Sequence, residues 1–306
     1  MHCQPGFFLH VWVNCLLAIP YCFINLNIIF NIIFKYVIDF IARCVLYYVQ
    51  GKVIIMNSER TLPYQSLSLP CSLPARPVRR KVKEKDRDPY DGLRPWSAIT
   101  HGIGAALAAI GTVLLLVRCA LLGLSMWHAV SFLIYGVSMV GLYTASTLYH
   151  CRNVSVKGRV ALKKYDHASI YFLIAGTYTP VCLVVLREYG AWGWGLFGVI
   201  WGLALAGLVL TLVWISTPRW LTSGIYIAMG WLALAAVVPL TRCLPTAGFF
   251  WVLGGGILYT VGGVLYAVKW PGRDNPRFGC HEIFHLFILL GSFFHFMLMY
   301  QVVAYL

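Results

Sequence analysis

The sequence predicts an all-α membrane protein, a bundle of seven transmembrane helices. Three observations predict it. Hydrophobic residues make up 60% of the 306 residues and charged residues only 11%, against about a quarter charged in an ordinary soluble domain. From residue 97 onward, seven apolar runs alternate with short polar breaks, and each run has the roughly 20 residues that a spanning helix needs. The basic residues behind the net charge of +14 are gathered into a few of those breaks. They read as a topology signal and not as one nucleic-acid surface. The apolar content also excludes disorder over most of the chain.

Residues 1–55 come first, as an apolar extension rich in Ile, Phe, Tyr, Asn and Cys. No basic stretch precedes its first apolar run, so it makes a poor signal peptide. Three readings are open. It supplies extra helices, with Asp39 and Arg43 paired one turn apart; it is a targeting segment; or it is an upstream extension with Met56 as the natural start. Its composition, unlike that of the Gly/Ala/Leu-rich runs downstream, favours the last. Residues 56–96 are polar and basic and carry six prolines, from Pro63 to Pro95. They predict a flexible cytoplasmic tail. Its cluster Arg79-Arg80-Lys81 sets topology and can also rest on anionic headgroups.

The seven-helix domain occupies 97–306, with runs at 97–117, 129–149, 167–185, 194–214, 221–240, 249–268 and about 281–303. Backbone groups in lipid must pair within their own segment, so the runs are helices. Gly104 with Ala108 in the first run, and Gly255, Gly262 and Gly263 in the sixth, predict close-packed faces. Pro180 in the third run predicts a bend and a freed Gly176 carbonyl, with Thr177 and Thr179 placed to satisfy exposed groups. A cavity in the bundle core goes with such a bend. The ten cysteines contain no C-x-x-C pair, so neither a disulfide framework nor a cysteine zinc ribbon is expected.

Basic residues give the orientation. The stretch before the first helix and the second, fourth and sixth breaks carry nine, five, one and three Lys or Arg. The opposite side carries only Arg118, Arg187 and Arg242. Eighteen against three puts the N-terminal stretch in the cytoplasm and the C-terminus outside, by the positive-inside rule.

Ionisable groups in spanning helices are costly and mark function. With this orientation His150 closes the second helix, Asp166 opens the third, and His281 and His285 open the seventh, all at one depth. His281 and His285 are four residues apart and share a helix face. With His150 they form a three-imidazole set that leaves a fourth position open, as catalytic zinc sites do. Ser146 lies one turn before His150. Asp166 is placed to act as general base toward water at the open position. The expected ion is Zn²⁺; iron and copper also take imidazole. Each signal alone has a plainer reading: histidine pairs at headgroup depth snorkel to water, and His150 with Asp166 alone fits an interfacial ion pair. His167 is rotated about 100° from Asp166 and is expected to face elsewhere. His101 is expected beside the site, His295 in a structural or cavity-lining place, and His128 at the outer interface. A haem pair on His281 and His295 is excluded, because no partner helix carries matching histidines.

At these residues the chain resembles the hemolysin III family, the bacterial branch of the progestin and adipoQ receptor (PAQR) superfamily. The resemblance rests on Thr100-His101-Gly102 with Gly104, on Ser146-x-x-Tyr149-His150, on Asp166-His167 through Gly176-Thr177-Tyr178-Thr179-Pro180, and on His281-x-x-x-His285. It spans about residue 97 to the end. It implies seven helices, a cytoplasmic N-terminus in a bacterial plasma membrane, zinc on His150, His281 and His285, and Asp166 and Ser146 beside it. It further implies ceramidase-like hydrolysis of a long-chain lipid amide or ester. The family's naming for haemolysis implies a cytolysin as an alternative, and its receptor relatives imply a sensor with structural zinc. Members commonly carry an acidic residue and an asparagine before the first-helix Thr-His, where this chain reads Leu93-Arg94-Pro95-Trp96-Ser97.

Overall fold

The computed structural model describes residues 93–272, 275 and 278–306. The apolar extension 1–55 and nearly all of the tail 56–96 lie outside the described residues. The rest is helical, with no strand among the described residues. Seven spans are long and apolar enough to cross a membrane. They are α1 (Pro95–Leu121), α2 (Met126–Cys151), α3 (Val156–Pro180) with a π-helical continuation Val181–Val185, and α4 (Trp192–Val213). The fifth span is composite: α5 (Arg219–Gly230), a 3₁₀ stretch Trp231–Ala236, and α6 (Val237–Cys243). The last two are α7 (Thr246–Val268) and α8 (Cys280–Gln301).

The surface fits a bilayer. Trp96, Trp127, Trp192, Trp194, Trp214, Trp220 and Trp270 are the exposed tryptophans among the described residues. Each lies at or just past a helix end, as the aromatic belts of membrane proteins require. Between the belts the exposed side chains are aliphatic, among them Ile103, Val113, Val137, Leu205 and Val261. The third and seventh spans are the most enclosed and the fifth the least. Inside, hydroxyls return to their own helix: Thr112, Thr147, Thr211 and Thr260 each donate to the carbonyl four residues back. That pairing removes the cost of a bare hydroxyl in hydrocarbon.

The third helix starts earlier than its hydropathy suggests. The segment expected to be a basic loop forms the first turns of α3, capped where Ser155 Oγ accepts from the Gly158 N–H at 3.3 Å. Arg159 folds back to donate to the Tyr149 carbonyl and stacks on the Tyr149 ring at 4.4 Å. Asp166 therefore sits well inside α3 rather than at its start. Hydropathy marks where lipid begins, whereas hydrogen bonding sets where the helix begins.

Pro180 acts as expected on the helix but by a different arrangement. Thr177 and Thr179 donate to the Leu173 and Ala175 carbonyls, not to that of Gly176. The chain absorbs the missing proline N–H by widening into the π turn. The break in the fifth span was not expected. Pro239 cannot donate to the Ala235 carbonyl. One turn earlier the Tyr178 hydroxyl inserts, donating to the Gly230 carbonyl at 2.6 Å and accepting from the Ala233 N–H at 2.8 Å.

The small-residue faces pack as the sequence indicates. A methyl added at Gly104 would come within 2.6 Å of Leu289, and one at Gly262 within 2.6 Å of Phe287. The tightest approach, at Gly136, was not foreseen: an added Cβ would lie 2.1 Å from Thr112 Oγ1 and 2.7 Å from Thr112 Cβ. Thr112 Cβ cannot swing away, so α1 and α2 must separate. Gly136→Ala is accordingly expected to lower stability by about 1–3 kcal/mol. Gly141→Ala, with nothing within 4 Å of its added methyl, should change it by less than about 0.5 kcal/mol. Thermal unfolding in detergent micelles measures both; equal midpoints would contradict the close approach.

Candidate metal centre

Two helix ends meet here. The last turn of α2 carries His150, and the first turns of α8 carry His281 and His285. One ligand atom from each of the three lies within 4.8 Å of the others, and together they can hold a metal ion. His150 Nε2 and His281 Nε2 are 3.1 Å apart. Around a tetrahedral ion with nitrogens at 2.0–2.1 Å, that edge is about 3.3 Å. The His281 and His285 rings lie 4.7 Å apart, as the four-residue spacing on a helix dictates.

The donor atoms fit an ion better than they fit each other. His150 and His285 are 2% exposed, and their Nδ1 atoms make no hydrogen bond. Burying a polar nitrogen without a partner is costly. Three imidazoles with ring centres 4.7–5.1 Å apart supply lone pairs that a cation satisfies. His101 from α1 stacks on His285, with ring centres 3.7 Å apart and planes 15° apart, and meets Tyr143 edge-on at 5.0 Å. It packs against a candidate ligand without belonging to the three-imidazole group.

Asp166 and Ser146 lie on the neighbouring wall. The Ser146 hydroxyl lies beside the Asp166 carboxylate. Both line a cavity of about 190 Å³ that also touches His101, His281 and His285. From that end the cavity runs through the bundle past Tyr178, Trp231 and Tyr259 to Phe249 and Leu298. His167, expected to face elsewhere, lines it as well, and so does His295. His128 is at the opposite end of the bundle, buried at the start of α2 with its Nδ1 2.9 Å from Ser125 Oγ.

Sequence reasoning missed one acidic group. Glu282, between the two α8 histidines, is 1% exposed. Its Oε1 accepts from Arg94 at 2.9 Å and Ser97 at 3.2 Å, and its Oε2 from the Gly279 N–H at 2.8 Å. The carboxylate thus caps α8 and ties its first turn to the start of α1. The signal was available: an acid inside an apolar helix needs a buried donor, and Arg94 stands at the first helix entrance. Removing Glu282 leaves three donors short of an acceptor, whereas Arg94 is about one-third exposed and can turn to water. Glu282→Ala is expected to cost about 1–3 kcal/mol, and Arg94→Ala clearly less. Paired thermal melts test the order; equal losses would assign the effect to the ion pair alone.

Comparison with known proteins points one way. A family model described as "Haemolysin-III related" matches residues 95–296. The hemolysin-3 homolog of Bacillus subtilis (strain 168) is 43% identical over 196 residues, covering 64% of this chain and 87% of that protein. Hemolysin-3 of Bacillus cereus is 40% identical over 196 residues, covering 64% and 85%. The human monocyte to macrophage differentiation factor is 26% identical over 204 residues, covering 64% and 79%.

Proposed function

The chain belongs to the haemolysin-III related family and is a multi-pass plasma-membrane protein, and from that premise we propose that it is a zinc-dependent hydrolase of long-chain lipid amides or esters, ceramidase-like in its chemistry. One observation carries the reading: two members of a buried three-imidazole group, His281 and His285, line the same largely apolar cavity as Asp166 and Ser146. The metal ligands are His150, His281 and His285. An all-imidazole set with a carboxylate nearby suits Zn²⁺. When bound, the ion supplies Lewis acidity that polarises an acyl carbonyl and acidifies water.

The protein's own groups do the rest. Asp166 takes the proton of the attacking water on a carboxylate oxygen and returns it to the departing nitrogen or oxygen. Ser146 orients that carboxylate through its hydroxyl and is placed to donate toward a developing oxyanion. His101 holds the His285 ring by stacking. The apolar walls from Leu142 to Leu298 take the acyl chain and exclude water from the reacting end. The basic breaks orient the molecule with its N-terminal stretch in the cytoplasm and its C-terminus outside. That puts the imidazoles near the inner leaflet, within reach of a lipid carbonyl. A lytic reading has one support, the name "Hemolysin-3" borne by relatives; haemolysis that survives His150→Ala would separate lysis from the imidazoles.

Purified protein should carry about one zinc per chain, and His285→Ala should lose most of it. Chelation should abolish hydrolysis of N-acyl lipids and zinc should restore it. Asp166→Asn should keep its zinc and lose about 10²–10⁴-fold in rate. No hydrolysis in either metal state, across a broad panel of lipid amides and esters, would count against the proposal.

A further inference from the structure

The cavity contains a second polar station far from the candidate metal group. His295 lies ten residues beyond His285 on α8, a rise of about 15 Å. Its ring is held on three sides. It stacks on Tyr259 with centres 5.3 Å apart and planes 13° apart. Its Nδ1 is 2.8 Å from the Gly291 carbonyl. Gly255 makes room for it: a Cβ there would come within 2.3 Å of the ring carbon between the two nitrogens. A carbonyl only accepts, so Nδ1 carries the proton that it donates. In the neutral ring Nε2 is then a lone-pair acceptor, and it has no hydrogen-bond partner among the described residues.

The nearby cavity hydroxyls are already engaged. Thr177 donates to Leu173, Thr260 donates to Gly256, and the Tyr259 hydroxyl is 2.8 Å from Ser292 Oγ. Their oxygens keep lone pairs, but a ring nitrogen is the stronger acceptor, and His295 presents one on a ring whose orientation is fixed. Such an acceptor in an apolar channel discriminates between chains that bring a donor to it and chains that do not.

We propose that His295 is a specificity-determining residue that accepts a hydrogen bond from a hydroxyl carried partway along the acyl chain, so that the preferred lipid is a mid-chain hydroxyacyl species. This rests on the reading that a lipid chain fills the cavity with its carbonyl at the imidazole end. At the about 1.2 Å per bond that an extended chain covers, 15 Å corresponds to about twelve carbons.

The test uses the full chain in detergent and reads binding, not turnover. Stearate, 2-hydroxystearate and 12-hydroxystearate compete with a fluorescent fatty acid. The wild type should hold 12-hydroxystearate about tenfold more tightly than stearate, with no such gain for 2-hydroxystearate. His295→Phe keeps an aromatic ring at that position and should lose the preference, holding stearate and 12-hydroxystearate with equal affinity. His295→Gln, which keeps an acceptor on a flexible stem, should retain part of it. Equal wild-type affinities for stearate and 12-hydroxystearate, or a preference that survives His295→Phe, overturn the inference. Binding of none of the acids overturns it together with the lipid-chain reading. A preference seen in protein that hydrolyses nothing upholds the inference and removes only the hydrolase.

Discussion

The helices of this bundle are sheathed in hydrocarbon, where an unpaired polar group is costly, and the polar groups inside are held by partners within the protein. Most of them are held locally, through threonine and serine hydroxyls returned to their own helix. The imidazoles of His150, His281 and His285 are not. They are gathered so closely that their nitrogens face one another, with Nδ1 of His150 and His285 unbonded. Concentrating nitrogens in this way is destabilising by itself, and a bound cation reverses its sign.

The scaffold around the imidazoles is correspondingly tied down. α8 contributes two of them from its first turns, the place where a helix frays most easily. Glu282 caps those turns and draws them to Arg94 and Ser97 at the start of α1. His101, from the same part of α1, lies flat against His285. Two helices remote in sequence are thus joined at the one level where ring positions matter. A buried carboxylate with three donors is rigid enough for that task.

The irregular backbone gathers at the cavity. The π turn after Pro180 and the 3₁₀ stretch Trp231–Ala236 both have residues on its wall, and Tyr178 joins them by bonding the carbonyl of Gly230 and the N–H of Ala233. Non-helical backbone is tolerated at membrane depth where protein or a cavity, not lipid, receives its polar groups. The departures from ideal helix and the space between helices are one feature.

The seven spans were legible because hydropathy acts residue by residue along the chain. The spacing of His281 and His285 was legible because a helix fixes it. Tertiary structure alone decided the rest. α3 begins at Val156 because Arg159 folds onto Tyr149, and the fifth span breaks because Tyr178 of another helix reaches its carbonyls. Glu282 finds Arg94 across 188 residues of chain, and Gly255 is a cradle for His295 rather than only a packing face. Each depends on which helix faces which and at what rotation. Neighbouring side chains set that rotation, and the periodicity of one strand of sequence does not contain it.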